Sequence, residues 1–152
     1  ARGPRFPAMK FWDSSALVPL ILAEVHSDSV AGILGEDDEL CVWWGTSLEC
    51  LGAIWGAHRR ERVTELDALR AEARLDEFRL RWTEIQASEE LRAEAERALR
   101  VHDLRSADAL QLASAIVAQR QLATALPFVC LDRRLTQAAI REGFRTTPGN
   151  HL

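Results

Sequence analysis

Apolar residues come in short, punctuated runs along the chain. Met9-Lys10-Phe11-Trp12 is one such run, broken by Asp13-Ser14-Ser15, a helix-starting cluster. Ala16 to Leu22 then reads as a buried helix in which Pro19 is tolerated only near the first turn. Ser27 to Leu34 fits a second short helix, ended by Gly35 and the acidic turn Glu36-Asp37-Asp38-Glu39. Leu40-Cys41-Val42-Trp43 predicts a strand. Gly45-Thr46-Ser47 opens a helix to about Arg60, with Leu48, Leu51 and Trp55 as its apolar stripe.

From Thr64 to Arg100 the pattern shifts to Ala, Leu, Glu and Arg. Thr64 with Asp67 starts one long helix, and Ser88 with Glu89 and Glu90 starts another. Leu66, Leu69, Ala73, Phe78 and Ile85 keep approximate helical spacing, so the segment predicts a helical hairpin; the repeat is too short for a coiled coil. Ser106-Ala107-Asp108 caps a strongly apolar helix through Ile116 and Val117. Pro127 to Leu131 is the clearest strand, followed at once by Asp132 and a helix to about Glu142. Gly143 ends that helix, and Phe144-Arg145-Thr146 fits a short edge strand. Strands alternating with helices predict an α/β fold, a three-layer α/β/α sandwich with a mostly parallel sheet, plus the hairpin.

Composition narrows the class. The 152 residues are 47% hydrophobic and 28% charged, ordinary globular proportions for one domain. There is no run of about 18 apolar residues, so no membrane span is expected, and no apolar leader, so the cytoplasm is the expected compartment. Cys41, Cys50 and Cys130 are odd in number and form no C-x-x-C pair, which argues against a disulfide framework or a structural zinc site. Residues 1–8 precede the only methionine and read as an expression remnant, leaving 9–152 as one domain. Net charge is −4, and without Arg2 and Arg5 of that remnant it is −6. The sole lysine, Lys10, stands near the chain start, which disfavours P-loop and Schiff-base chemistry.

Four acids stand out. Asp13 and Asp132 are each the first polar residue after an apolar strand and directly before a helix. In a parallel sheet such strand ends share one edge, where ligands bind. Each also fits the everyday role of a helix N-cap. Glu49 and Asp108 lie in first turns, where the helix dipole favours an acid. Both, however, sit within apolar sequence, and a buried carboxylate is costly unless paired or bound to a metal.

At these positions the chain resembles the PIN-domain ribonucleases, and among them the VapC-like toxins of type II toxin–antitoxin pairs. The matching stretches are Phe11-Trp12-Asp13-Ser14-Ser15-Ala16-Leu17-Val18 and Thr46-Ser47-Leu48-Glu49-Cys50-Leu51-Gly52-Ala53, then residues 104–115 around Ser106-Ala107-Asp108-Ala109, and Phe128-Val129-Cys130-Leu131-Asp132 with Arg133, Arg134 and Leu135. They span nearly all of 9–145. The resemblance implies a PIN-like fold, with Asp13, Glu49, Asp108 and Asp132 as a catalytic, metal-holding quartet. It implies RNA as substrate and a cognate antitoxin as partner; a homodimer is also expected. Cys130 departs from the family, which often places Ser or Thr there, and an altered environment of the last acid is expected.

Carboxylates without histidine or cysteine suit Mg²⁺, with Mn²⁺ able to substitute. Setting the four aside leaves 19 acidic residues against 19 basic. Arg105, Arg133, Arg134 and Ser14 flank the acids and fit phosphate contacts, although charge runs are usually solvated faces and Ser14 also fits a helix cap. Arg59, Arg60 and Arg62 form a second cluster. Trp43 and Trp44 suit base stacking or core packing. His26, His58, His102 and His151 show no ligand spacing. Three alternatives stand beside the toxin reading: a PIN nuclease of RNA processing, a binding module with structural acids, and a haloacid-dehalogenase-like phosphatase. Ser15 breaks the D-x-D of the last, and its lysine is absent.

Overall fold

The structure, a computed structural model, describes residues 9–23, 27–36 and 39–149. Residues 1–8, with Arg2 and Arg5, lie outside the described residues, as do His26, Asp37, Asp38 and His151. The elements run β1 (Lys10–Trp12), α1 (Ser14–Leu22), α2 (Ser27–Glu36), β2 (Leu40–Trp43), α3 (Thr46–Arg59), α4 (Glu65–Arg79), β3 (Thr83–Ile85), α5 (Glu89–Val101), α6 (Ser106–Leu122), β4 (Phe128–Val129), α7 (Arg133–Arg141) and β5 (Thr146–Thr147). The five strands form one parallel sheet in the order β3-β2-β1-β4-β5.

Strand β1 lies between β2 and β4, in register Phe11 with Phe128 and Trp12 with Val129. Its alternation decides the layers. Phe11 points into a core shared with α5, α6 and α7, and Trp12 into a second core under α1, α3 and α4. Phe128 stacks on Phe11 with ring centroids 5.5 Å apart and meets Phe144 edge-on at 5.6 Å. The expected three-layer α/β/α sandwich is therefore the fold.

The hairpin between residues 64 and 100 is not. Strand β3 interrupts it and pairs with β2, so α4 and α5 pack on opposite faces of the sheet. Ile85, expected on a helical stripe, is a strand residue. The sequence Thr83-Glu84-Ile85 is short and half-polar because β3 is an edge strand, which weakens its periodic signal. The stripes also rotate. Helix α4 buries Ala68, Ala71, Leu75 and Phe78 and exposes Leu66 and Leu69; α3 buries Cys50, Ile54 and Ala57, keeps Leu51 and Trp55 of the expected stripe half-buried against the same core, and exposes Leu48. Small residues permit the close helix approach here, and Leu48, Leu66 and Leu69 stay outside.

Local chemistry explains the ends. Thr64 and Asp67 form a reciprocal capping box at the start of α4, and Ser88 caps α5 through Leu91 N–H. Ser106 does not cap α6: it is already helical, and Arg105 holds the cap position without a side-chain bond. Pro19 falls inside α1. Gly35 lies within α2, one residue before its end. Gly45 is required where it stands, since a Cβ there would run into the Trp43 indole. Gly143 follows α7 at φ +92°.

Candidate active site

Asp13 leaves β1 at the carboxyl edge of the sheet, and its main-chain N–H donates to Val129 O at 2.9 Å, which ties it to β4. It is the N-cap of α1, accepting from Ser15 N–H at 3.1 Å. Asp132 is the N-cap of α7, accepting from Leu135 N–H at 2.8 Å. Capping and convergence thus hold together, because adjacent parallel strands bring both caps to one edge. Glu49 comes from the first turn of α3 and Asp108 from the first turn of α6, one from each helical layer.

Electrostatics shows which acids sense one another. Asp13 is buried at 3% exposure, and burial pushes its carboxyl up to about 6 from the ordinary 3.8. Hydrogen bonds from Ser15 oppose the rise, and the charges of Glu49 and Asp108 add to it. Burial also raises the Glu49 carboxyl, against hydrogen bonds from Ser14 and Gln111 and with the charge of Asp108. Asp108 is raised by burial and then by Asp132, opposed by the Arg105 main chain and by Arg105 and Arg134. Each of Asp13, Glu49 and Asp132 is thereby coupled to Asp108.

Among the described residues none of these acids forms a salt bridge, and no group of three or more His, Cys, Asp or Glu side chains stands ready-made around an ion position. The donor set still suits a hard divalent ion. Three of its carboxylates, Asp13, Glu49 and Asp108, are raised by burial and by neighbouring acids, and among the described residues none of the three is paired with a cation, the condition that such an ion relieves.

Sequence reasoning missed three supporting residues. Gln111 on α6 donates to Thr46 Oγ1 and to Glu49. Ser15 Oγ accepts from Leu131 N–H at 2.9 Å and lies 3.6 Å from Cys130 Sγ, fastening the turn before α7. Thr46 is wholly buried. Their only signal was position, a polar residue in apolar helix one turn from a candidate acid. The Ser14 hydroxyl donates to Glu49 Oε2, and the cap is Asp13. Cys130 Sγ reaches Asp13 Oδ2 at 3.7 Å and the Asp132 main-chain oxygen at 3.4 Å, so the thiol touches the first acid's carboxylate and only the last acid's backbone. Burial holds that thiol well above its usual range.

A cavity of about 800 Å³ opens from Asp108 and Asp132 between α6 and α7, rimmed by Arg105, Arg133, Arg134 and Arg141. Arg134 lies 3.8 Å from Asp103. Most of the other features lie elsewhere. Arg59, Arg60 and Arg62 sit at the far end of α3, Trp43 is core, and Trp44 is half-exposed against it. His58 faces Val63 O, whereas His102 bonds Glu142 and lines the cavity itself beside Asp103.

No family model matches the sequence, and no curated protein matches it. Solved structures do, and they establish the fold: the chain is a PIN-like α/β domain. It is similar to VapC20 of Mycobacterium tuberculosis, a sarcin–ricin-loop-cleaving toxin, with 18% identity and a TM-score of 0.62 over 90% of this chain and 96% of that one. A toxin–antitoxin complex from Klebsiella pneumoniae aligns at 15% identity and 0.59, over 82% and 88%. PAE2754 from Pyrobaculum aerophilum aligns at 21% and 0.60, over 92% and 83%.

Proposed function

We propose that the chain is a metal-dependent endoribonuclease, the toxin of a toxin–antitoxin pair, hydrolysing RNA phosphodiesters at a site held by Asp13, Glu49, Asp108 and Asp132. One observation carries the reading: Asp13, Glu49, Asp108 and Asp132 come from two strand ends and two opposed helices of a PIN-like sheet, and the charge of Asp108 acts on Asp13 and Glu49 as that of Asp132 acts on Asp108. The likeness to toxin structures supports it.

Mg²⁺, or Mn²⁺ in its place, is the cofactor that suits these oxygens; when bound it lowers the pKa of a water and offsets charge on the attacked phosphate. The chain's own residues orient the ligands. N-cap bonds fix Asp13 and Asp132, and the Ser14 hydroxyl and Gln111 amide hold Glu49. Arg105, Arg133 and Arg134, on the cavity rim, supply charge for the RNA phosphates. The natural partner is a small antitoxin whose apolar helix lies beside the acidic cleft and whose arginine enters among the carboxylates. A cytoplasmic homodimer is the form proposed.

The test is cleavage of RNA by the purified protein with Mg²⁺ or Mn²⁺, with EDTA, and as Asp13→Asn. Cleavage that needs the ion and vanishes in the variant supports the nuclease; RNA binding without cleavage in either protein makes the domain a binding module. Titration with the neighbouring gene product, with and without excess Mg²⁺, then tests whether partner and metal compete.

A further inference from the structure

Gln111 stands three residues beyond Asp108 on α6 and is 1% exposed. Its Nε2 donates to Thr46 Oγ1 at 3.0 Å and to Glu49 Oε1 at 3.3 Å, while its Oε1 is buried without a hydrogen-bond partner. Turning the amide over would set its oxygen against the Glu49 carboxylate, two acceptors face to face, so the donor orientation is the one the site holds.

Packing alone does not explain this residue. Its neighbours on α6, Ala109, Leu112, Ala113 and Ala115, are all buried, and leucine or methionine would fill similar volume without an orphaned acceptor. What the amide adds is a donor on Glu49. A glutamate has three rotatable bonds, and here two elements grip its carboxylate: α1 through the Ser14 hydroxyl and α6 through Gln111. Thr46, from the same turn of α3 as Glu49, occupies the amide's other hydrogen and fixes its plane.

We infer that Gln111 is a positioning residue for Glu49, holding its carboxylate within reach of Asp13 and Asp108 in the orientation that a divalent ion requires. Helix α6 then has two tasks, presenting Asp108 and aiming Glu49. This rests on the reading of the four acids as a metal site, and groups that orient metal ligands are typically worth roughly 10–100-fold in affinity.

The experiment is calorimetric titration of the whole chain with Mn²⁺, wild type beside Gln111→Leu and Gln111→Met, with the thermal midpoint of each metal-free protein. The expected result is a roughly 10–100-fold loss of Mn²⁺ affinity in both variants, with midpoints unchanged or higher because the orphaned oxygen is gone. Wild-type affinity retained in both variants overturns the inference and leaves the metal site standing. A lowered midpoint in both also overturns it, since the amide is then structural. A wild type that takes up no Mn²⁺ removes the metal site, and the inference falls with it.

Discussion

Asp13 makes the metal-free protein less stable at neutral pH, and Asp13→Asn exposes by how much. Its carboxyl titrates near 6 in the fold against an ordinary 3.8, because burial disfavours the charged form. Below about pH 3.8 both folded and unfolded chains carry the proton, so the residue costs nothing. Between 3.8 and about 6 the unfolded chain has released its proton while the native chain keeps it, and stability falls by about 1.4 kcal/mol per pH unit. Above that window the loss is complete at about 3 kcal/mol. Asparagine imitates the protonated acid and keeps an oxygen for the Ser15 N–H cap, so the exchange isolates the charge. Urea unfolding in EDTA at pH 7.5 and at pH 4 measures it. The variant is expected to be more stable by about 3 kcal/mol at pH 7.5, roughly 6–12 °C in midpoint, and nearly equal to wild type at pH 4. An equal gain at both pH values, or none at pH 7.5, refutes the reasoning.

Mg²⁺ or Mn²⁺ at 100 times its dissociation constant should stabilise the wild type by about 2.7 kcal/mol and leave Asp13→Asn unmoved, as thermal melts will show. Glu49→Gln and Asp108→Asn should lower RNA cleavage by at least roughly 100-fold with little change in unfolding free energy, since relief of like-charge repulsion offsets lost contacts. Unfolding of either variant would make that acid structural. Phe128→Ala should cost about 3–5 kcal/mol in urea unfolding, because the ring is wholly buried between Phe11 and Phe144.

The sequence carried the sheet's centre well. β1, β2 and β4 are apolar runs ended by polar punctuation, and a parallel strand buried on both faces leaves that mark. The edge strand β3 left none, and Leu66, Leu69 and Leu48 misled because hydrophobicity ranks leucine over the alanines that allow helices to approach closely. The acids were legible through their place after strands and in first turns. Gln111, Ser15 and the grip of Ser14 on Glu49 were not, since each depends on partners from another element. Periodicity reports which side of an element is buried and is silent on which atoms meet there.

The position of β1 between β2 and β4 gives the site a temporal property. Asp13 is the first of the four acids to be synthesised and Asp132 the last, yet they share one edge, and Cys130 reaches Asp13 across 117 residues of chain. Glu49 and Asp108 come from opposite layers, each needing its own core to close. A growing or partly folded chain therefore lacks the complete set, however well its first half is formed. Under the proposed activity, cleavage waits until β4 docks beside β1 and brings Asp132 to the shared edge.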